Sequence, residues 1–241
     1  MPEGHTLHRL ARELNELVDH EVAATSPQGR FEPGPLDGAT VTSVEAYGKH
    51  LLLDAGPDVH LHVHLGMRGT WLRFSPVTGP GLKQVRLRLA PTGPDVAWDL
   101  IAPSTCELLD HDGRATLLAG LGPDPLRPEA DADEARRRLQ GYRGSVGAAL
   151  MDQQVLAGVG NVFRAEVLHA AGIDPLRPAG QVSDAELAGL WARLRAMMAQ
   201  AVEDGRIVTV EVPTGTARRC PRPRRAGSTS RPPATTAGRP W

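Results

Sequence analysis

The apolar positions of the chain change their period twice, from helical spacing to strand spacing and back, and each stretch predicts its own kind of element. Leu7, Leu10, Ala11, Leu14 and Leu17 recur at helical spacing, which predicts a helix over residues 6–18 with Thr6 near its start. From residue 39 to residue 89 the period shortens to two. The runs TVTSVEAYG, KHLLLDAG, VHLHVHLG and QVRLRLAPTG alternate apolar with polar residues between Gly, Pro and Asp, as half-buried strands do. VAWDLIAP and TCELLD read as two more strands, so the first half is predicted to be an antiparallel sheet assembly.

GLGPDPLRP has the Pro and Gly density of an interdomain connection, and beyond it helical spacing returns. Leu139, Val146, Leu150, Val155 and Leu156 belong to one or two helices, and NVFRAEVLHAAG reads as another that ends at Gly172. A further helix starts from a Ser183 cap with Glu186 three residues on. The expected class is α+β: a β domain over residues 1–120, then an α domain over residues 121–212. Residues 213–241 consist of Arg, Pro, Thr, Ala, Gly and Ser with almost nothing apolar, so they cannot offset their ordering entropy and are expected to form a disordered basic tail.

Charge sharpens this division. The net charge is −1, but seven arginines and no acid fall in residues 213–241, which leaves residues 1–212 with 20 bases against 28 acids, a net −8. That deficit weakens long-range steering towards phosphate without forbidding a locally basic cleft. No window approaches the ~18–20 uninterrupted apolar residues of a membrane span. Glu3, His5 and Arg9 stand where a signal peptide would place an apolar run, so a cytoplasmic protein is expected. Two cysteines, Cys106 and Cys220, make neither a disulfide framework nor a four-ligand zinc site.

Four places could carry chemistry. Removal of Met1 would leave Pro2 with a free secondary amine, whose ordinary pKa of about 8 leaves a useful fraction unprotonated near neutral pH. Such an amine can attack a sugar C1′ and form an imine-type intermediate if a proton donor stands by, and Glu3 is adjacent. The plain alternative is that Pro-Glu opens a helix. Lys49, one of two lysines, follows a Gly turn and could charge-pair with a phosphate or position a sugar; alternatively it is a solvated strand-end lysine. In LAGVGNVFRAEVLHAAGIDP, Gly158 and Gly160 allow a tight turn whose N–H groups could approach a ligand. Asn161 would cap the next helix, whose N-terminus favours phosphate, although a simple helix–helix turn fits as well. His60, His62 and His64 share one strand face, but at ~3.3 Å per residue the outer two lie ~13 Å apart, so they line a strand rather than ligate one metal.

Taken in order, PEGHT, AYGKHLLL, HLGMRG, LGPDPL, LMDQQVLAGVGNVFRAEVLHAAGIDP and AVEDGRIVT resemble the formamidopyrimidine-DNA glycosylase/endonuclease VIII family over roughly residues 2–210, most of all its endonuclease VIII-like actinobacterial members. The resemblance implies an N-terminal β-sandwich flanked by helices and a C-terminal helix-two-turn-helix domain, with damaged DNA in the cleft between them. It implies a monomer that removes an oxidised base and then cleaves the strand by β,δ-elimination. Pro2 would be the Schiff-base nucleophile, Glu3 the acid/base group and Lys49 the residue needed for elimination. Gly158, Gly160 and Asn161 would form the phosphate-binding turn. Met67 would fill the gap left by the flipped nucleotide, its alternative being an ordinary buried strand methionine.

Two departures qualify that likeness. Where formamidopyrimidine-type members carry an Arg-Arg-Phe segment, this chain reads APSTCELL, which favours the endonuclease VIII side and its oxidised pyrimidines. Family members generally end in a four-cysteine zinc finger, but the sequence holds no C-x2-C pair, so no zinc cofactor is expected. The tail that replaces the finger reads as a frame change or a decayed finger. A catalytically impaired protein that binds damaged DNA or abasic sites is therefore the second expectation. A remote ribosomal or topoisomerase component is the third, and it leaves PEGHT at the terminus unexplained.

Overall fold

The computed structural model describes residues 2–207. Helix α1 (Gly4–Leu14) buries Leu7, Ala11 and Leu14, the stripe its spacing predicted. It begins two residues earlier than Thr6, because extended Glu3 is its N-cap and the Glu3 carbonyl accepts from the Thr6 N–H at 2.9 Å. The Glu3 side chain makes no cap bond to α1, which leaves it free to reach elsewhere.

Nine strands follow: β1 (Glu21–Thr25), β2 (Ala39–Thr40), β3 (Ser43–Tyr47), β4 (His50–Asp54), β5 (His60–His64), β6 (Thr70–Phe74), β7 (Val85–Pro91), β8 (Ala97–Ile101) and β9 (Thr105–Leu109). They form two antiparallel sheets, ordered β2-β1-β7-β8-β6 and β3-β4-β5-β9. Val22, Leu87, Leu89 and Leu100 from the first sheet and Leu51, Leu53, Leu61 and Val63 from the second share one apolar core, so the two sheets pack as a sandwich. Strand β1 was not predicted, because EVAAT offers only Val22 and Ala24 as inward positions and alanine carries little strand signal.

Helix α2 (His111–Ala119) was also unpredicted. None of its residues is buried, so it has no apolar stripe to read, and it is capped by Asp110, which accepts from the Gly113 N–H. The helical part contains α3 (Ala132–Gly141), α4 (Val146–Ala149), α5 (Asn161–Ala171) and α6 (Asp184–Asp204) around a second core that includes Leu139, Leu156, Phe163, Leu190 and Met198. Gly172 closes α5 in the left-handed conformation, and Ser183 with Glu186 forms the capping box of α6, both as the sequence predicted. Helix α1 packs against both β3 and α6, so the element that carries the amino terminus joins the two cores. No helix among the described residues is long and apolar enough to cross a membrane. The predicted tail, residues 213–241, lies outside the described residues.

Candidate active site at the amino terminus

Glu3 is fully buried, and its carboxyl group is seated against the first turn of α5. It accepts from the backbone N–H of Gly160 at 2.9 Å, of Val162 at 2.9 Å and of Phe163 at 3.4 Å. A helix start has unpaired N–H groups and a positive dipole end, so a carboxylate is the natural partner. This corrects one expectation. Asn161 does not cap α5; Gly160 is the N-cap residue without a side-chain bond, and the capping carboxylate comes from a residue 157 positions earlier. Asn161 is instead the exposed first residue of α5, free to present its amide outward.

Close backbone approach explains the glycines. The Gly4 N–H donates to the Gly158 carbonyl at 2.8 Å, and a Cβ on Gly4 would stand 2.9 Å from the Gly158 Cα. Gly48, at φ +59, leads into Lys49, and its Cβ would stand 2.9 Å from Ala157 Cβ. Both Gly158 and Gly160 are buried, and their N–H groups are already used, by Gln153 Oε1 at 3.0 Å and by Glu3. The expectation that these N–H groups face a ligand is therefore corrected: that of Gly158 is held within its own loop by Gln153, and that of Gly160 by Glu3 of the amino-terminal segment. Sequence inspection also passed over Gln153, whose amide holds the loop through both Gly158 and the Val159 carbonyl.

Lys49 therefore sits on a turn pressed against the same loop that receives Glu3. Burial pushes its ammonium below the usual lysine range, and the Glu3 carboxylate partly opposes that shift. His5 is buried too, with Nδ1 unpartnered and its ring edge-on to Phe163 at 5.2 Å. Burial first, and then the amino-terminal charge, lower its pKa to about 4, so it is neutral at physiological pH.

A second missed residue fixes the turn. Asp124, fully buried within the predicted connection, accepts from the Gly48 N–H at 2.7 Å and from the Leu126 N–H at 2.9 Å, and pairs with His8 Nε2 of α1 at 2.7 Å. One carboxylate thus ties α1, the turn before Lys49 and the entry to the helical part. Asp124→Ala leaves two backbone donors without acceptors, at about 1–3 kcal/mol each. The variant is expected to lose about 2–5 kcal/mol in a denaturant melt. An unchanged melting midpoint would remove Asp124 from this role.

Met67 lies on the turn between β5 and β6 and is 77% exposed, which disposes of the buried-methionine alternative. The turn is rigid beneath it: the Gly69 N–H donates to the Leu65 carbonyl, and Gly66 at φ +65 packs on Ser104. Ser104 and the Gly66 N–H both contact His64 Nδ1, at 2.9 and 3.1 Å. The three β5 histidines each have their own partner: His60 pairs with Asp54, His62 with Glu107 and His64 with Ser104. No group of three or more His, Cys, Asp or Glu among the described residues could hold a metal. The zinc of a four-cysteine finger does not fit this chain: it has two cysteines, and Cys106 is a strand residue of β9 whose thiol burial pushes up to about 12.

The fold matches solved structures. A Lactococcus lactis Fpg (MutM) complex with DNA containing N7-benzyl-Fapy-dG superposes with a TM-score of 0.71 at 24% identity, over 85% of this chain and 80% of that one. Another, of the same protein with DNA containing an oxidised pyrimidine, gives 0.71 over 87% and 83%. The architecture is that of a two-part DNA glycosylase. The family model described as the formamidopyrimidine-DNA glycosylase N-terminal domain matches residues 1–100, and that of its H2TH domain matches residues 121–212. Endonuclease 8 1 of Mycobacterium tuberculosis is 41% identical over 219 residues, 87% of this chain and 80% of the relative. Formamidopyrimidine-DNA glycosylase of Xanthomonas campestris is 37% identical over 207 residues, 83% and 76%. The chain belongs to the formamidopyrimidine-DNA glycosylase/endonuclease VIII family of bifunctional DNA glycosylase/AP lyases.

Proposed function

We propose that this chain excises oxidised pyrimidines from DNA and nicks the strand through a Schiff base on Pro2. The observation that carries this is a shared seat: the Glu3–Gly4 segment and the turn that bears Lys49 both pack on the loop at residues 157–160. The pyrimidine preference rests on the 41% identity to Endonuclease 8 1 and on APSTCELL in place of an Arg-Arg-Phe segment.

The Pro2 nitrogen attacks C1′ of the flipped nucleotide, the bond from C1′ to the base breaks, and the departing base takes up the proton that the amine nitrogen loses. Glu3 supplies a proton to the ring oxygen as the sugar opens to the iminium. Lys49, its ammonium destabilised by burial, takes the C2′ proton; that electron pair forms C2′=C3′ and the 3′ phosphate leaves. Met67 occupies the space vacated in the duplex. The exposed amide of Asn161 binds phosphate, and Gly158 and Gly160 act by setting its position. Two separate apolar cores, one built from residues 7–108 and the other from residues 126–207, support the division into domains of 1–120 and 121–212. The relatives are bacterial, which supports a bacterial protein, and a cytoplasmic monomer is part of this proposal.

Borohydride reduction during incubation with thymine-glycol or abasic duplex DNA tests this, since a Schiff base becomes a stable protein–DNA adduct. The missing C-x2-C pairs favour one alternative, a damaged-DNA binder with impaired turnover. Binding without an adduct and without nicking would establish that alternative.

A further inference from the structure

The turn that carries Met67 does not stand alone at its end of the sandwich. β5 belongs to the second sheet and β6 to the first, so residues 65–69 cross from one sheet to the other. β8 belongs to the first sheet and β9 to the second, so residues 102–104 make the return crossing. Because β6 pairs with β8 and β5 with β9, the two crossings lie side by side: Thr70 stands opposite Ile101, and His64 opposite Thr105. The second crossing is made in three residues, and within it Ala102 takes φ +48, a left-handed value that a residue with a Cβ adopts at a cost.

That bend delivers Ser104 to the base of the Met67 turn. The Ser104 N–H donates to the His64 carbonyl at 3.0 Å, and Ser104 Oγ stands 2.9 Å from the same carbonyl and 2.9 Å from His64 Nδ1. The Gly66 N–H also points at that nitrogen, 3.1 Å away. An amide N–H only donates, so His64 Nδ1 is an acceptor and the neutral ring carries its proton on Nε2. Burial, then the neighbouring His62 and Lys49, hold the ring below the usual histidine pKa, which keeps that acceptor unprotonated. Gly66 has no room for a side chain: at φ +65, its Cβ would stand 2.9 Å from Ser104 Cβ. A Cβ on Gly69 would collide with the Leu65 carbonyl that accepts its N–H. Leu65 is buried, so the side chains that this turn presents to solvent are those of Met67 and Arg68.

We propose that the β8–β9 crossing is a clasp that holds the Met67 turn in its duplex-entering shape, with Ser104 as the positioning residue. This inference rests on the gap-filling role proposed for Met67 above. A side chain that enters a base stack loses conformational entropy as it does so, and a turn ordered beforehand loses less. The left-handed Ala102 fits this role, because a strained residue persists where surrounding contacts outweigh its cost, and here those contacts are the ones that fix the turn.

Ser104→Ala removes the hydroxyl and keeps the backbone bond to His64, and Ser104 is exposed, so thermal melts of the variant should overlay the parent. With a thymine-glycol duplex carrying 2-aminopurine beside the lesion, stopped-flow fluorescence reads the opening of the stack and single-turnover excision reads the chemistry. Ser104→Ala should slow both by about fivefold, as loss of one hydrogen bond would, and Ser104→Thr should recover most of the rate. In a Met67→Ala background the same Ser104→Ala change should cost nothing further, since the clasp acts through Met67. Parental rates in Ser104→Ala, no recovery in Ser104→Thr, or independent losses in the double variant would overturn the clasp. If Met67→Ala alone matches the parent, or the parent excises nothing, the reading beneath it fails instead, and amide hydrogen exchange in the free protein decides the clasp. Faster exchange at Gly66 and Gly69 in Ser104→Ala supports it; unchanged exchange overturns it.

Discussion

Holding the amine one residue out of place is expected to remove the covalent intermediate. An uncleaved amino-terminal tag, which converts the Pro2 nitrogen to an amide, should reduce the borohydride-trapped adduct by at least about 10³-fold. Misplacing a reacting atom by about 1 Å can already cost 10²-fold, and an amide nitrogen is no nucleophile. Pro2→Gly should also lose most of the adduct, although it keeps a primary amine, because the ring that fixes the backbone leading into Glu3 is gone. Neither change touches Glu3, whose three backbone donors all come from the start of α5. Stability should therefore hold: thermal melts of the tagged and Pro2→Gly chains should overlay the parent. Intact-mass measurement of the parent should show Met1 absent. Undiminished trapping by the tagged chain would move the nucleophile elsewhere, and Lys49, whose ammonium is already destabilised by burial, would be the first amine to examine.

The parts of this site that sequence could reveal are those whose function is local. The Gly172 stop and the Ser183–Glu186 box use residues a few positions apart, so their patterns are readable in a string. PEGHT, AYGKH and GVGN were readable as motifs for the same reason, and their shared order along the chain pointed to one site. The contacts that assemble them were not readable. Glu3 reaches Gly160 across 157 residues, and Asp124 reaches Gly48 across 76. Asn161 looked like a cap because Asn is a good cap residue, yet a carboxylate from a distant segment outcompetes it for the same donors. The two unpredicted elements failed for a simpler reason. β1 is built on small residues and α2 buries none, so neither writes a hydrophobic period into the sequence.

The Glu3–Gly160 contact supplies the second large effect. Gly160 has φ −121, an ordinary extended value, so its backbone would accept alanine. The obstacle is steric. A Cβ at Gly160 would lie 2.3 Å from Glu3 Cδ and 2.6 Å from Glu3 Oε1, and both residues are buried. Gly160→Ala must therefore drive the carboxylate away from the start of α5. Overpacking of this kind costs about 1–3 kcal/mol, and loss of a helix cap adds about 0.5–2 kcal/mol. A total of about 3 kcal/mol would lower the melting temperature by roughly 6–12 °C in a protein of this size. The same displacement moves the proposed proton donor, so excision of thymine glycol should fall by about 10²-fold or more. Gly172→Ala is the control. That glycine has φ +66 with nothing within 4 Å of its Cβ position, so the substitution adds only left-handed strain of about 1–2 kcal/mol at the far end of α5. Excision by Gly172→Ala should remain near the parental rate. If Gly160→Ala were as mild as Gly172→Ala in both the melt and the excision assay, Glu3 would not depend on that glycine, and its assignment as proton donor would lose its structural basis.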